Sequence, residues 1–341
     1  MDKIAIVILN WNGRNFLKQF LPSVVGHSQL PGTKIWIADN GSSDDSVDFI
    51  KKKYPQIGLL VFEKNHGFTG GYNLALQQIM AEYYVLLNSD VEVTPNWLEP
   101  LLALMEQDKN ISACMPKIKA YHSKLKFEYA GAAGGFIDKY GFPFCRGRIF
   151  DNLEEDCGQH DTAREIFWAT GACMFLRAKL FHELGGLDND FFAHMEEIDL
   201  CWRMKNAGYK IMVEPASTVY HVGGGTLPNE SPHKLFLNFR NNLWLLYKNL
   251  PENNFRYTIF TRQILDGIAA LKYLAGFQFS NFFAVLKAHI VYYKYKPALK
   301  KKRILLEKTR KTNNPNQIYP KSIVISYFLK RKKNFNDLFW K

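Results

Sequence analysis

The sequence predicts an α/β protein with a mostly parallel sheet, helices on both faces of the sheet, and a helical, basic C-terminal extension. Three observations support this prediction. Short apolar runs alternate with amphipathic stretches over the first hundred residues. Polar residues follow three of these runs where each would end. From residue 287 onward there are 16 Lys and Arg and two acids, or +14, whereas the remainder of the chain carries about −2.

Four short apolar runs, at residues 4–9, 34–38, 59–62 and 84–87, predict strands buried on both faces. Amphipathic stretches near residues 14–25, 44–53, 71–82 and 95–107 predict the helices between and after them. This alternation indicates βαβ units and therefore parallel strands. Ligands bind such sheets beyond the carboxyl ends of the strands. The polar clusters NWNG (10–13), DNGS (39–42) and NSD (88–90) are therefore expected along one rim.

The remainder of the chain divides into two predicted parts. Residues 112–165 suggest turns, hairpins and a mobile charged loop, after which WATGACMFL (168–176) predicts a strand and residues 177–186 a helix. The composition changes beyond His221, so we expect a catalytic domain over residues 1–230 and a helical region over 231–341. Within that region, residues 236–248 and 262–295 mix aromatic, aliphatic and basic side chains. This mixture is typical of packing helices or of helices on an anionic membrane surface.

Several classes of protein are disfavoured. Five cysteines without a CxxC pair favour a reduced, cytoplasmic setting. The N-terminus has too few apolar residues for a signal peptide, and no run approaches the roughly 18 apolar residues of a membrane-spanning helix. Neither the dinucleotide-binding nor the nucleoside-triphosphatase phosphate loop is present. The near-neutral body and the apolar stretches of the tail argue against nucleic acid as a partner.

Three acids, Glu196, Glu197 and Asp199, occur within the otherwise apolar and aromatic stretch FFAHMEEIDLCW. Acids at a helix start favour the helix dipole, which explains one or two of them on an exposed turn. Three acids in such surroundings imply that some are partly buried. Partial burial raises the pKa of a carboxyl group and suits it to accept a proton near neutral pH.

A second candidate site combines Asp90, at the end of the fourth strand, with His221. A histidine in an apolar run is more often a satisfied core residue than a ligand. Here the glycines that follow it permit close approach of a ligand. An imidazole beside Asp90 would complete a site for a divalent ion.

Taken together, the motifs resemble one family, the inverting family-2 glycosyltransferases of GT-A fold, and in particular their rhamnosyltransferase-like branch. The resemblance covers about residues 3–250. It rests on an ordered series: IVILNWNG, IADNGSSDDS, NHGFTGGYN, LLNSDVEV, GACMFLR, GGLDNDFF, EEIDLCWRMKNAGY and VYHVGGGT. Each motif alone is weak, but the series in this order and spacing is specific.

The resemblance implies roles for individual residues. Asn10 and Asn12 would lie in the loop that contacts the nucleotide base, and Asp39 would read a pyrimidine ring. Asn88 and Asp90 stand at the DxD motif, where Asp90 would bind Mg²⁺ or Mn²⁺ with His221 as a further ligand. Glu197 matches the acid that acts as base. The glycine-rich loop flanking the donor would comprise Asn65, Gly67, Gly70, Gly71 and Asn73.

The sequence departs from the family pattern at two of these positions. Asn88 replaces the first acid of the DxD motif, which affects the strength of metal binding. Glu197 replaces the usual Asp and adds one methylene to the reach of the base. Glu196 or Asp199 therefore remain alternatives as the base.

The implied activity is inverting transfer of a sugar from a dTDP- or UDP-linked donor, with rhamnose as a candidate, in the synthesis of cell-surface polysaccharide. The acceptor would be a glycan or a lipid-linked saccharide. Such an acceptor and the basic tail predict peripheral association with the anionic inner face of the cell membrane. The alternative is a nucleotidyltransferase or a sugar-nucleotide-binding protein without glycosyl transfer.

Overall fold

The computed structural model describes residues 1–223, 231–313 and 315–340. The predicted domain boundary at residue 230, and with it the glycines Gly224 and Gly225, lies outside these ranges. The strands are β1 (Asp2–Asn10), β2 (Thr33–Asp39), β3 (Gly58–Val61), β4 (Ala81–Asn88), β5 (Val91–Val93), β6 (Ile111–Ala120), β7 (Ser123–Phe127), β8 (Gly135–Asp138), β9 (Pro143–Cys145), β10 (Arg148–Ile149), β11 (Asn152–Leu153), β12 (Arg164–Ile166), β13 (Cys173–Arg177), β14 (Lys210–His221) and β15 (Ile318–Tyr319).

The helices alternate with these strands in the first half of the chain and follow one another in the second. They are α1 (Arg14–His27), α2 (Ser46–Lys53), α3 (Gly67–Leu76), α4 (Leu98–Gln107), α5 (Ala178–Glu183), α6 (Glu196–Asn206), α7 (Pro232–Asn249), α8 (Phe255–Ala275) and α9 (Phe279–Glu307). Short 3₁₀ or π turns occur at Asn189–Phe191, Glu252–Asn254, Ile325–Leu329 and Phe335–Leu338.

A ten-stranded sheet forms the centre of the molecule, with the order β12-β14-β6-β13-β4-β1-β2-β3 and with β5 and β7 paired to β14 and β6. Strands β1 to β4 pair in parallel, as predicted, whereas β13 runs antiparallel between β4 and β6. Asn10 lies opposite Asp39 in the register of β1 and β2, and Leu9 lies opposite Asn88 across β1 and β4. The three polar strand ends therefore share one rim, which confirms that prediction.

The predicted strands and helices of the first hundred residues are confirmed, but two helix predictions need correction. The third helix begins at Gly67 rather than near residue 71, because Asn65 Oδ1 accepts a hydrogen bond from the N–H of Gly67 and supports the first turn. The segment 262–295 is two helices, since the chain turns between α8 and α9 at Phe277, whose φ is positive.

The C-terminal tail is folded onto the body of the protein. Strand β15 adds in parallel to β8 and completes a second, five-stranded sheet, β11-β10-β9-β8-β15. Phe335 is buried, and Trp340 packs against Phe136 and Phe144 of that sheet. The buried Asp138 accepts a hydrogen bond from the N–H of Ile323. These two aromatic residues of the tail therefore pack within the protein.

No helix in the described part of the chain is long and apolar enough to cross a membrane. The core occupies both faces of the large sheet, and several of its largest fully buried side chains come from helices: Tyr72, Trp202 and Trp244. Trp244 belongs to α7, so the C-terminal region contributes to the same core as the first helices.

Candidate active site

The end of β2 holds a buried carboxylate within a small hydrogen-bonded network. Asp39 is almost fully buried, and its two oxygens accept bonds from Asn10 Nδ2 (2.9 Å) and from the N–H of Ser42 (2.9 Å). The Oδ1 of Asn10 is also buried and has no hydrogen-bond partner among the described residues. Because buried polar atoms normally find partners, this oxygen is available for a donor group of a ligand.

Asn12 organises the loop that follows β2. Its φ is +51°, and its Oδ1 accepts hydrogen bonds from the N–H groups of Ser43 (2.8 Å) and Asp44 (3.3 Å). Its own N–H donates to Ser42 Oγ (2.9 Å). Asn12 therefore shapes the loop beside Asp39 rather than offering its amide oxygen to a ligand.

The predicted glycine-rich loop is largely the first two turns of α3. A Cβ at Gly71 would lie 2.7 Å from a methyl carbon of Leu9, and Gly67 has a φ of +72° and faces the ring of Phe192. A Cβ at Gly70 would approach the Cβ of His66 to 3.2 Å. These glycines allow α3 to pack closely against β1 and the loop before α6, because any larger residue would push the helix outward.

Asn73 connects α3 to the segment before α6. Its Nδ2 donates to the carbonyl of Leu187 (2.7 Å) and to Asn189 Oδ1 (2.8 Å), and its Oδ1 accepts from the N–H of Leu187 (3.0 Å). Both polar atoms of this side chain are used within the protein. The expectation that Asn73 contacts the nucleotide needs correction to a positioning role.

Asp90 and His221 are neighbours at the rim because β5, which follows Asp90, pairs with the end of β14. His221 Nε2 lies 3.2 Å from Asp90 Oδ1 and 3.5 Å from the amide nitrogen of Asn88. On the other side of the ring, Nδ1 lies 3.5 Å from Glu128 Oε1. Burial opposes protonation of His221, but Asp90 and Glu128 outweigh it and raise its pKa to about 10.

These side chains have the chemistry of a divalent-cation site. A carboxylate, an imidazole and an amide suit Mg²⁺ or Mn²⁺, and Glu128 can orient the imidazole from behind. The described residues contain no group of three His, Cys, Asp or Glu side chains arranged to hold a metal ion. Asp90 and His221 alone are too few to hold a metal ion, so an ion at this position would need further oxygens. Mg²⁺ commonly obtains such oxygens from substrate phosphates.

The structure separates the three acids of α6 by their surroundings. Asp199 is fully buried and bonded to Arg203 Nε (2.9 Å), Lys248 Nζ (2.9 Å) and Asn249 Nδ2 (2.8 Å). Burial opposes its ionisation, but these cations lower its pKa. Because it is held in an internal ion-pair network, the expectation that Asp199 could serve as base is not supported.

Glu196 and Glu197 differ in exposure and in pKa. Burial, together with the charge of Glu197, raises the pKa of Glu196 well above its usual range. Glu197 is half-buried, and burial raises its pKa to about 7 against the opposing effect of nearby backbone N–H groups. Glu197 lies beside Gly171, because a Cβ placed on this glycine would be 4.0 Å from the Cβ of Glu197. The carbonyl of the next residue, Ala172, accepts a hydrogen bond from the N–H of Asn88, which lies at the rim. Glu197 thus borders the rim.

The loop before Glu197 is held in a strained conformation by one buried side chain. Phe192, His194 and Met195 all have φ between 66° and 71°, a region that costs about 1–3 kcal/mol per non-glycine residue. Asn241 of α7 is fully buried, and its Nδ2 lies within hydrogen-bond distance of the carbonyls of Phe191 (3.0 Å), Ala193 (2.9 Å) and His194 (2.7 Å). Helix α7 therefore positions the start of α6 and with it Glu197.

Comparison with known proteins agrees with this geometry. Residues 5–185, more than half of the chain, match the profile of the glycosyl transferase family 2. The chain belongs to glycosyl transferase family 2. It is therefore a glycosyltransferase, and the alternative of a nucleotidyltransferase or a binding protein is set aside.

Two curated relatives cover most of this family-2 enzyme. It is 23% identical over 235 residues to an N-acetylglucosaminyl-diphospho-decaprenol L-rhamnosyltransferase of Mycobacterium tuberculosis, covering 64% of this chain and 76% of the relative. It is 22% identical over 246 residues to the low-salt glycan biosynthesis hexosyltransferase Agl10 of Haloferax volcanii, covering 71% of this chain and 74% of the relative.

Solved structures show the same GT-A fold. GalNAc-T7 with UDP, GalNAc and Mn²⁺ superposes with a TM-score of 0.56 at 17% identity, covering 73% of this chain and 48% of that one. The mannosyltransferase PcManGT from Pyrobaculum calidifontis, in complex with GDP-Man and Mn²⁺, gives 0.51 at 12% identity, covering 89% and 87%. At these identities the likeness concerns the fold alone.

Sequence reasoning missed Glu128 and Asn241. Glu128 lies in the irregular region 112–165, where no periodic pattern predicted its place. Asn241 carried a detectable signal, because two adjacent Asn residues, Asn241 and Asn242, interrupt the apolar pattern of FLNFRNNLWLLYK. Polar residues at buried helix positions need hydrogen-bond partners, so they indicate a contact with another segment.

Asn241→Ala is expected to lower kcat about 10–100-fold with little change in donor KM, because the loop before Glu197 loses its clamp and a misplaced catalytic group costs about this much. The matched control is Asn242→Ala. Asn242 is also buried on α7, but it donates to the carbonyl of Gly141. Both variants should lose roughly 1–3 kcal/mol of stability. Steady-state kinetics with thermal denaturation checks this; equal kcat losses in the two variants would show that Asn241 is only structural.

Proposed function

We propose that this glycosyltransferase transfers a sugar, with inversion, from a dTDP- or UDP-linked donor to a glycan or lipid-linked acceptor in the synthesis of cell-surface polysaccharide. The observation that carries the proposal is the environment of Glu197. Of the three acids in α6, it is the one with a pKa of about 7 and partial access to the rim. A carboxyl group with a pKa near the working pH is suited to general-base catalysis.

In the proposed reaction, Glu197 accepts the proton of the acceptor hydroxyl. The oxygen of that hydroxyl attacks the anomeric carbon from the side opposite the diphosphate. The bond from the anomeric carbon to the diphosphate oxygen breaks, and the nucleoside diphosphate leaves. One displacement inverts the anomeric centre. Glu196 is buried, whereas Glu197 is half-buried, so Glu196 is less accessible to an acceptor hydroxyl.

Asp90 and His221 would hold a divalent ion, with Glu128 orienting the imidazole of His221. When bound, such an ion supplies positive charge for the leaving diphosphate. Asp39 and Asn10 would bind the base, with the unpartnered Oδ1 of Asn10 as an acceptor for a donor group of the base. Asn65, Gly67, Gly70 and Gly71 would let the donor lie close to α3. The enzymatic test is a screen of nucleotide sugars that measures release of the nucleoside diphosphate.

The preference for a pyrimidine nucleotide gives a direct prediction. The carboxylate of Asp39 can accept a hydrogen bond from the ring N–H of uracil or thymine. We expect UDP and dTDP, with Mn²⁺ present, to raise the melting temperature and GDP to have little effect, as measured by thermal denaturation. Asp39→Asn should remove the difference between the nucleotides. Equal or greater stabilisation by GDP would contradict the assignment, and GDP-Man in the neighbour PcManGT shows that the fold itself accommodates a purine.

We also propose a cytoplasmic enzyme that works at the inner face of the cell membrane. The mycobacterial relative is named for a substrate with a decaprenol lipid. The +14 charge of residues 287–341 supports attraction to anionic lipid. We further propose that residues 231–341 act as one functional unit with residues 1–230, since Asn241 contacts the loop before Glu197.

A further inference from the structure

Helices α8 and α9 form a hairpin that packs against α7. Arg262 is buried and bonds with Asp266 and Asn242, and Asp266 also lies 3.3 Å from His289 of α9. Tyr293 Oη donates to Gln263 across the hairpin (3.0 Å). These contacts fix which sides of α8 and α9 face the protein and which face outward.

The outward side of α8 is a continuous apolar stripe. Tyr257, Phe260, Ile264, Ile268 and Leu271 follow one another at spacings of three and four residues, and each is 49–65% exposed. At 3.6 residues per turn this spacing places them on one face. The charged residues of the helix, such as Arg256, Arg262 and Lys272, lie off that stripe.

Helix α9 presents a matching stripe. Phe279, Phe283, Leu286, Ile290 and Tyr293 are exposed at the same spacing, and Phe277 at the turn of the hairpin is 80% exposed. Single exposed apolar residues are common, but two rows of them on neighbouring helices indicate a site of interaction.

Charge at the edge of this surface identifies the partner. Lys272, Lys287 and Lys294 are exposed beside the stripes. From residue 255 to 306 the sole acid is Asp266, which is buried and paired with Arg262. The exposed charged residues of the hairpin itself are therefore cationic, and an apolar face combined with cationic side chains is the composition of helices that lie in the interface of anionic bilayers. A second copy of the chain meeting this face would bring like charges together.

The turn of the hairpin lies at the end of α7 that is nearest the candidate active site. Helices α9 and α7 run in the same direction, with Lys287 over Phe236 (5.1 Å), Tyr295 stacked on Trp244 and Arg303 bonded to the carbonyl of Tyr247. The start of α7 is electrostatically coupled to the site. Burial and the charge of Lys234 both lower the pKa of His194. Burial lowers the pKa of Lys234 itself, and the charge of Glu128 opposes this effect.

We propose that the exposed apolar face of the α8–α9 hairpin lies in the interface of an anionic phospholipid bilayer and brings the active site to a membrane-borne acceptor. This inference rests on the proposed function for the nature of the acceptor. The sequence left two alternatives for residues 262–295, packing helices or helices on an anionic membrane surface, and the proposal selects the second.

The test is flotation of the full-length protein with phosphatidylcholine vesicles, with and without phosphatidylglycerol. We expect binding to the anionic vesicles that weakens as salt rises. The variant Ile264→Ser, Ile268→Ser, Ile290→Ser should bind at least about tenfold more weakly, since each residue loses contact with lipid. The matched control, Val61→Ser, Met80→Ser, Leu125→Ser, changes exposed apolar residues elsewhere and should bind normally.

Charge reversal tests the cationic edge. Lys272→Glu, Lys287→Glu, Lys294→Glu should reduce binding at least about tenfold, whereas Lys51→Glu, Lys52→Glu, Lys53→Glu on the exposed side of α2 should have little effect. Phe277→Trp provides a readout that does not depend on loss of binding. Its fluorescence should shift to shorter wavelength with anionic vesicles and be quenched by brominated lipid.

Normal vesicle binding by the Ser variant would overturn the proposal. So would loss of binding that occurs only when the charges of residues 330–333 in the tail are reversed. A wild-type protein that is dimeric, together with a Ser variant that is monomeric, would show that the face binds a second copy of the chain instead. Nucleotide-induced thermal stabilisation, measured on the same proteins, tests the donor site separately. Failure of the membrane proposal is therefore distinguishable from failure of the proposed function.

Discussion

Replacing Glu197 with Gln is expected to lower turnover by about 10²–10⁴-fold, the usual effect of removing a positioned proton acceptor. The change keeps the shape of the side chain and removes its ability to take the acceptor proton, so donor affinity should change little. Steady-state kinetics with the donor identified by the nucleotide-sugar screen, and binding of the nucleoside diphosphate by calorimetry, measure the two effects separately.

The pH dependence supplies a second signature of Glu197. Burial raises its pKa to about 7, so the carboxyl group is protonated below that pH and cannot accept a proton. The rate of the wild-type enzyme should therefore rise with pH through about 7 and level off above it. The residual rate of Glu197→Gln should lack this rise.

Glu196→Gln is the matched control. Because Glu196 is buried and Glu197 is half-buried, Glu196→Gln should retain most activity. Asp199→Asn should mainly destabilise the fold, because Lys248 and Arg203 lose their shared partner. An active Glu197→Gln together with an inactive Glu196→Gln would show that the base is assigned to the wrong acid.

Asp90→Ala is expected to abolish divalent-dependent transfer while the protein stays folded. A bound divalent ion contributes several kcal/mol of charge stabilisation, so the loss should be about 10³-fold or more. Binding of Mn²⁺ in the presence of UDP, measured by electron paramagnetic resonance, should weaken in parallel and gives a readout independent of turnover.

Glu92→Ala serves as the control for Asp90→Ala, since Glu92 is two residues away and pairs with Lys124 at the surface. It should leave both Mn²⁺ binding and activity unchanged. Full activity of Asp90→Ala in the presence of a chelator would exclude the proposed role.

The sequence was sufficient for the features that depend on local patterns. Short apolar runs predicted strands β1 to β4, and amphipathic stretches predicted the helices between and after them. The parallel order of these strands predicted that Asn10, Asp39 and Asn88, at the carboxyl ends of the strands, share one rim. The register of the sheet confirms this prediction. The ordered motifs identified the family, which the match over residues 5–185 establishes.

Only the tertiary structure decided the properties that depend on residues distant in the sequence. The surroundings of Glu197 differ from those of Asp199 because α7, some fifty residues further along the chain, supplies Lys248 and Asn249 to one acid and not to the other. The same helix holds the loop before α6 through Asn241. The tail shows the same dependence on folding, because its Phe335 and Trp340 pack against Phe136 of the second sheet. Sequence patterns indicate which residues are apolar and which can ionise. The residues that each of them contacts are determined only when the chain folds.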